Sequence, residues 1–112
     1  MGITVQAQDG VYGRSAAGVR ARLEQSENGH WRAVAEAETD PEGRVRGWSG
    51  RKFDRGAYRL VLDSGRYFVG LGLSAAYPEI ALQFRLHDET DACQIHVLIS
   101  PCSYSAYFGA LS

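Results

Sequence analysis

The chain has 112 residues, 45% of them hydrophobic and 22% charged, with a net charge of −1. That length supports one core, so a single domain over residues 1–112 is expected, and the composition excludes a disordered chain. The near-neutral charge offers no basic face to nucleic acid, and no apolar run approaches the roughly 20 residues of a membrane helix.

No basic start followed by an apolar block opens the sequence, so no secretory leader is expected and the expected location is cytoplasmic. Residues 3–8 alternate, with Ile3, Val5 and Ala7 on one face and Gln6 and Gln8 on the other. Asp9-Gly10 signals a turn. Residues 19–24 alternate again through Val19, Ala21 and Leu23, and Asn28-Gly29 leads into a further alternating run at 31–38. Glu42-Gly43, Arg55-Gly56 and Ser64-Gly65 mark later turns, with an alternating run at 56–62 between the last two. Residues 66–71 break the period and predict a short helix capped by Ser64, with Tyr67, Gly70 and Leu71 on one face. Residues 79–86 and 94–99 return to period two. Each alternating run reads as a half-buried strand. Strands of this length and spacing predict an all-β antiparallel sandwich, onto which so short a helix must dock.

Cys93 and Cys102 form no C-x-x-C pair, which excludes zinc fingers and dense disulfide scaffolds. They lie toward opposite ends of one extended stretch and read as reduced thiols. No metal or other cofactor is implied.

Several segments together resemble the transthyretin and 5-hydroxyisourate hydrolase family over nearly the whole chain. Asp9 followed by Gly13-Arg14-Ser15-Ala16-Ala17-Gly18-Val19 resembles its first strand and turn. Thr39-Asp40-Pro41-Glu42-Gly43-Arg44 is similar to its T-x-x-x-G-R loop. Gly56-Ala57-Tyr58, Tyr67-Phe68 and Tyr77-Pro78-Glu79-Ile80 match its middle. The most specific piece is Leu98-Ile99-Ser100-Pro101-Cys102-Ser103-Tyr104-Ser105-Ala106-Tyr107, similar to L-L-S-P-Y-x-Y-S-T-Y. The resemblance implies a transthyretin-like eight-stranded sandwich of two four-stranded sheets with one helix. It also implies a homodimer by edge-strand pairing and a homotetramer by face stacking around a channel, with no nucleic-acid or membrane partner.

The family's hydrolase opens the cyclic amide of 5-hydroxyisourate, an intermediate of urate breakdown. The resemblance implies a site of two histidines, one arginine and a C-terminal Tyr-Arg-Gly-Ser. Here the histidine positions carry Gln6 and Gln94, the arginine is kept as Arg44, and the C-terminal motif reads Tyr107-Phe108-Gly109-Ala110. Glutamine donates and accepts hydrogen bonds but takes no proton near pH 7. A general base is worth about 10² to 10⁴ in rate and an oxyanion donor about 10² to 10³. These replacements should therefore abolish the family reaction by its own mechanism.

His96, two residues after Gln94, projects on the same strand face. Imidazole ordinarily titrates near pH 6.5, so His96 is the candidate replacement base. Arg44 would bind a developing oxyanion, and Gln6, Gln94, Ser105 and Tyr107 would position a small-molecule substrate. The bland readings are a satisfied sheet histidine, two surface glutamines and a solvated turn arginine. His30 and His87 read as surface residues, His87 beside Asp88. Arg14, Arg20 and Arg22 read as a solvated sheet face, and Phe108 and Leu111 as subunit packing. The first functional expectation is a remodelled inter-subunit site. It would act, without cofactor, in a hydrolase- or cyclase-like reaction on a cyclic carbonyl compound other than 5-hydroxyisourate, in specialised metabolism. The alternatives are a non-catalytic carrier or structural protein, and a residual 5-hydroxyisourate hydrolase of purine catabolism.

Overall fold

Alternation becomes burial most plainly in β1 (Ile3–Asp9), where Ile3, Val5, Ala7 and Asp9 are buried and Thr4, Gln6 and Gln8 are half-buried. The structure is a computed structural model that describes residues 2–46, 48, 53–87 and 92–111, the side chains of 92, 110 and 111 excepted. Asp88 and Ser112, and the side chains of Ala110 and Leu111, therefore lie outside the described residues. After β1 come β2 (Arg14–Ser15), β3 (Arg20–Glu27), β4 (His30–Glu38) and β5 (Arg44–Val45). Then follow β6 (Gly56–Leu62), α1 (Ser64–Gly70), β7 (Ile80–Leu86), β8 (Ala92–Ile99) and β9 (Tyr104–Leu111).

The expected sandwich is present. One sheet has the order β4-β3-β6-β7; the other has β2-β1-β8-β9, with β5 also paired to β1. β2 and β5 span two residues each, too short to show a period, and they raise the strand count above the eight expected. All pairs are antiparallel except β1 with β8. A parallel pair needs a long crossover, and here the chain runs through the whole other sheet between them. The core lies between the sheets. Val5, Ile95, Val97 and Ile99 on one side and Leu23, Leu60 and Leu62 on the other are no more than 3% exposed.

The hairpin from β3 to β4 turns through Asn28 and Gly29, both at positive φ (52° and 81°). This backbone matches the strand twist and accounts for the Asn-Gly signal. The N-cap of α1 lies one residue earlier than expected. Ser64 is helical and buried, Asp63 occupies the N-cap position, and no side chain caps the helix. The Ser64-Gly65 turn signal is thus the first turn of the helix. Gly65 is needed there because a Cβ would stand 2.6 Å from the Pro78 carbonyl oxygen, to which its own amide donates at 3.1 Å. The helix docks through Phe68, which is fully buried. The Tyr67 hydroxyl donates to Asp9 Oδ2 at 2.7 Å, and Asp9 Oδ1 accepts from the Val11 and Tyr12 amides. Burial, then the bond to Asp9 and its charge, push the Tyr67 hydroxyl's pKa up. The three arginines expected on one face are divided: Arg14 lies on β2, in the β1 sheet, and Arg20 and Arg22 lie on β3 in the other.

The segment from Thr39 to Arg44 is held down on β1. Thr39 Oγ1 donates to the Ala16 carbonyl at 2.7 Å and accepts from the Val19 amide at 2.8 Å. Gly43, at φ +77°, lies so close to β1 that a Cβ would sit 2.4 Å from the Ala7 carbonyl oxygen. Gly43→Ala should therefore destabilise the fold by more than about 1 kcal/mol, seen as a lower urea midpoint. Gly70→Ala meets open space at the end of the helix, and should leave the midpoint unchanged or raise stability by up to about 1 kcal/mol.

Candidate functional site

Because Val5 and Ala7 face the core, Gln6 must face outward, and the same alternation on β8 turns Gln94 and His96 outward between buried Cys93, Ile95 and Val97. The ladders then set the lateral order. Gln6 lies opposite Arg44 of β5 on one side and opposite His96 of β8 on the other. His96 lies opposite Tyr107 of β9. Arg44, Gln6, His96 and Tyr107 thus form one row across four strands, each step close to the 4.8 Å strand spacing. Gln94 lies one step to one side, opposite Thr4 and Gly109. Ser105 lies one step to the other, opposite Leu98, whose partner on β1 is Gln8. The six residues singled out in the sequence share one outer face, and His96 is at its centre rather than in a dry interior.

Arg44 reaches the row through its loop. Asp40 Oδ1 accepts from the Glu42 and Arg44 amides, each at 2.9 Å, and the Asp40 amide donates to the Arg44 carbonyl at 2.9 Å. The Arg44 amide bond, against some burial and with help from the Glu42 amide and the Arg46 and Arg44 charges, holds the Asp40 carboxyl below the usual aspartate value. The Arg44 side chain is one-third exposed, and its Nη1 is 3.5 Å from Glu42 Oε2. Its Nε is buried with no hydrogen-bond partner among the described residues.

The His96 and Tyr107 rings stack nearly parallel, 6° apart in plane with centroids 5.0 Å apart. Beside them Gln8, Leu98 and Ser105 complete a hollow of about 220 Å³. Leu98 is 47% exposed and Tyr107 64%, so this hollow joins an apolar wall to a titratable ring. Gln8 and Leu98 were not singled out in the sequence, although they belong to the same period-two faces as Gln6 and His96. Phe108 points the other way: it lies opposite Ile95 and packs 5.6 Å from the Phe84 ring, where it bridges the open edges of the two sheets. His30 and His87 are exposed, away from the row.

A larger hollow of about 440 Å³ lies against the other sheet, with Arg20, Arg22, Glu36, Glu38, Asp63 and Glu79 on its walls. Nearby, Glu24 accepts from Arg59 at 2.7 Å and Arg22 at 2.8 Å. Burial alone would raise its pKa, but these two guanidiniums outweigh it and hold the carboxyl below its ordinary value. Arg59 also lies 4.6 Å over the Trp31 ring. Both Glu24 oxygens are thus paired, while the hollow itself is lined by two arginines and the four carboxylates of Glu36, Glu38, Asp63 and Glu79. Among the described residues, no group of three or more His, Cys, Asp or Glu could hold a metal, and no helix is long and apolar enough to cross a membrane.

The model of the HIUase/transthyretin family matches residues 3–109. A 5-hydroxyisourate hydrolase of Caulobacter vibrioides is 30% identical over 113 residues, covering 97% of this chain and 98% of that protein. One of Salmonella dublin is 29% identical over 109 residues, covering 96% of this chain and 80% of that protein. Transthyretin of Sparus aurata superposes with a TM-score of 0.91 at 25% identity, covering 98% of this chain and 97% of its own. A sea bream transthyretin structure in complex with thyroxine gives 0.89 at 25% identity, covering 98% and 96%.

The Asp40 contacts give a pH dependence of known sign. Its folded pKa is below the ordinary 3.8, so its stabilisation is complete above that value and is lost as pH falls through the depressed folded value. Hydrogen-exchange protection of the Arg44 amide, relative to its intrinsic rate, should fall over that acid range. Asp40→Ala should lower the protection at pH 7 and remove the acid step.

Proposed function

This chain belongs to the HIUase/transthyretin family, and from that premise we propose that it is a hydrolase opening the cyclic amide of 5-hydroxyisourate or a close ring analogue. The observation that carries the reading is the row Arg44–Gln6–His96–Tyr107, fixed by strand register. The curated relatives cited above are 5-hydroxyisourate hydrolases. They lend no support to a different substrate in specialised metabolism and favour a retained hydrolase.

The family's two histidine positions hold Gln6 and Gln94, so proton transfer falls to His96. Its imidazole takes a proton from water as the water oxygen bonds to a ring carbonyl carbon. The carbon–nitrogen bond then breaks, and the same proton passes to the leaving ring nitrogen. The one-third-exposed Arg44 guanidinium stabilises the oxyanion formed between these steps. Gln6 and Gln94 hold the ring's amide edge through paired donors and acceptors, and Ser105 bounds the other side. The exposed Leu98 and Tyr107 side chains favour cover by a second copy, in keeping with a homotetramer whose site lies between subunits. A second reading, a small-ligand carrier, is favoured by that apolar wall and by the thyroxine complex of a structural relative.

Ultraviolet decay of 5-hydroxyisourate separates the two. The wild-type protein should exceed the uncatalysed rate, and His96→Ala should lose about 10²- to 10⁴-fold of the acceleration. A wild-type rate equal to buffer alone, with thyroxine raising the melting temperature, would decide for the carrier.

A further inference from the structure

We infer that Tyr107 is the positioning residue of the His96 imidazole, holding it edge-on to the substrate by ring stacking; this rests on the reading of His96 as the base. The two residues face each other directly in the β8–β9 ladder, and their rings are only 6° from parallel. An imidazole on an open sheet face ordinarily turns about its outer torsion. Here one ring face is covered by Tyr107, and the register neighbour on the opposite side is Gln6. With that face covered, the imidazole's edge is what remains for a substrate; its same-face neighbours along β8 are Gln94 and Leu98.

The neighbouring positions allow the stack. Gly109, two residues after Tyr107, lies beside its ring, where a Cβ would make only an ordinary 3.6 Å contact with Tyr107 Cε2. Gly109 lies opposite Gln94, so the β8–β9 pair beside the stack carries one side chain instead of two. The ring of Tyr107 therefore stands against His96 with an open side toward Gln94. Fixing the imidazole before substrate arrives removes an ordering cost from the reaction step, and small misplacements of a catalytic group can cost up to about 10² in rate. The stacking needs the aromatic ring and does not need the hydroxyl. Tyr107 acts through His96, which distinguishes it from a group that touches the reacting atoms.

The test pairs Tyr107→Phe with Tyr107→Leu in the full-length protein. Tyr107→Leu should lower kcat for 5-hydroxyisourate about tenfold further than Tyr107→Phe does, with KM little different between the two variants. The NMR signals of the His96 ring protons should be shifted upfield by the stacked ring in wild type and Tyr107→Phe, and should lose that shift in Tyr107→Leu. A merely structural role would instead lower the melting temperature without this pattern. Equal losses in the Phe and Leu variants would overturn the inference in favour of the hydroxyl, and an unchanged kcat in Tyr107→Leu would overturn it outright. If His96→Ala is as fast as wild type while the upfield shift is present, it is the base assignment that has failed, and the inference falls with it.

Discussion

β1 hydrogen-bonds to three strands, and the rest of the molecule depends on the register of those bonds. Its period of two commits Ile3, Val5 and Ala7 to the core and leaves Gln6 outside. A slip of one residue would bury three polar side chains and expose three apolar ones, so the core itself enforces the register. Once it is set, the partner strands have no freedom in what they place beside Gln6: β5 brings Arg44 and β8 brings His96. The candidate chemistry is thus a by-product of core packing, with no dedicated scaffold beneath it.

The loops at the ends of β1 are fastened by buried polar groups that are fully occupied. Asp9, 1% exposed, binds two backbone amides and the Tyr67 hydroxyl, and so ties the helix to the end of the strand. Thr39, 4% exposed, both donates and accepts across the start of the arginine loop. Removing one partner from such a group costs about 1–3 kcal/mol, far more than the bond's net worth, and so these contacts fix geometry strongly. The outer face contrasts with them. There Leu98 and Tyr107 are exposed and the Arg44 side chain is one-third exposed, so this face has no such fastening.

Much of this was legible in the sequence because long strands announce themselves by alternation. The runs at 3–8, 56–62 and 94–99 carried enough period to assign faces, and the faces put Gln6, Gln94 and His96 outward. The two-residue strands β2 and β5 carry no period, and their pairing depends on Gly43 lying against the Ala7 carbonyl, a contact 36 residues apart in sequence. The parallel β1–β8 pair leaves no local mark either, because its register is set by the two strands' shared core side chains. Arg44 was found through resemblance alone. The helix start was missed by one residue because Ser64 is used for burial and not for capping. The His96–Tyr107 stack follows from a ladder register that no spacing in the sequence states.

If the row from Arg44 to Tyr107 is the recognition surface, a ligand binds on the outer face of the β1 sheet. A nitrogen-15 NMR titration with uric acid, a ring analogue of the proposed substrate, tests this. Amide shifts should concentrate at Gln6, Arg44, Gln94, His96 and Tyr107. Shifts confined to Arg20, Glu36 and Glu38, at the larger hollow of the opposite sheet, would contradict it.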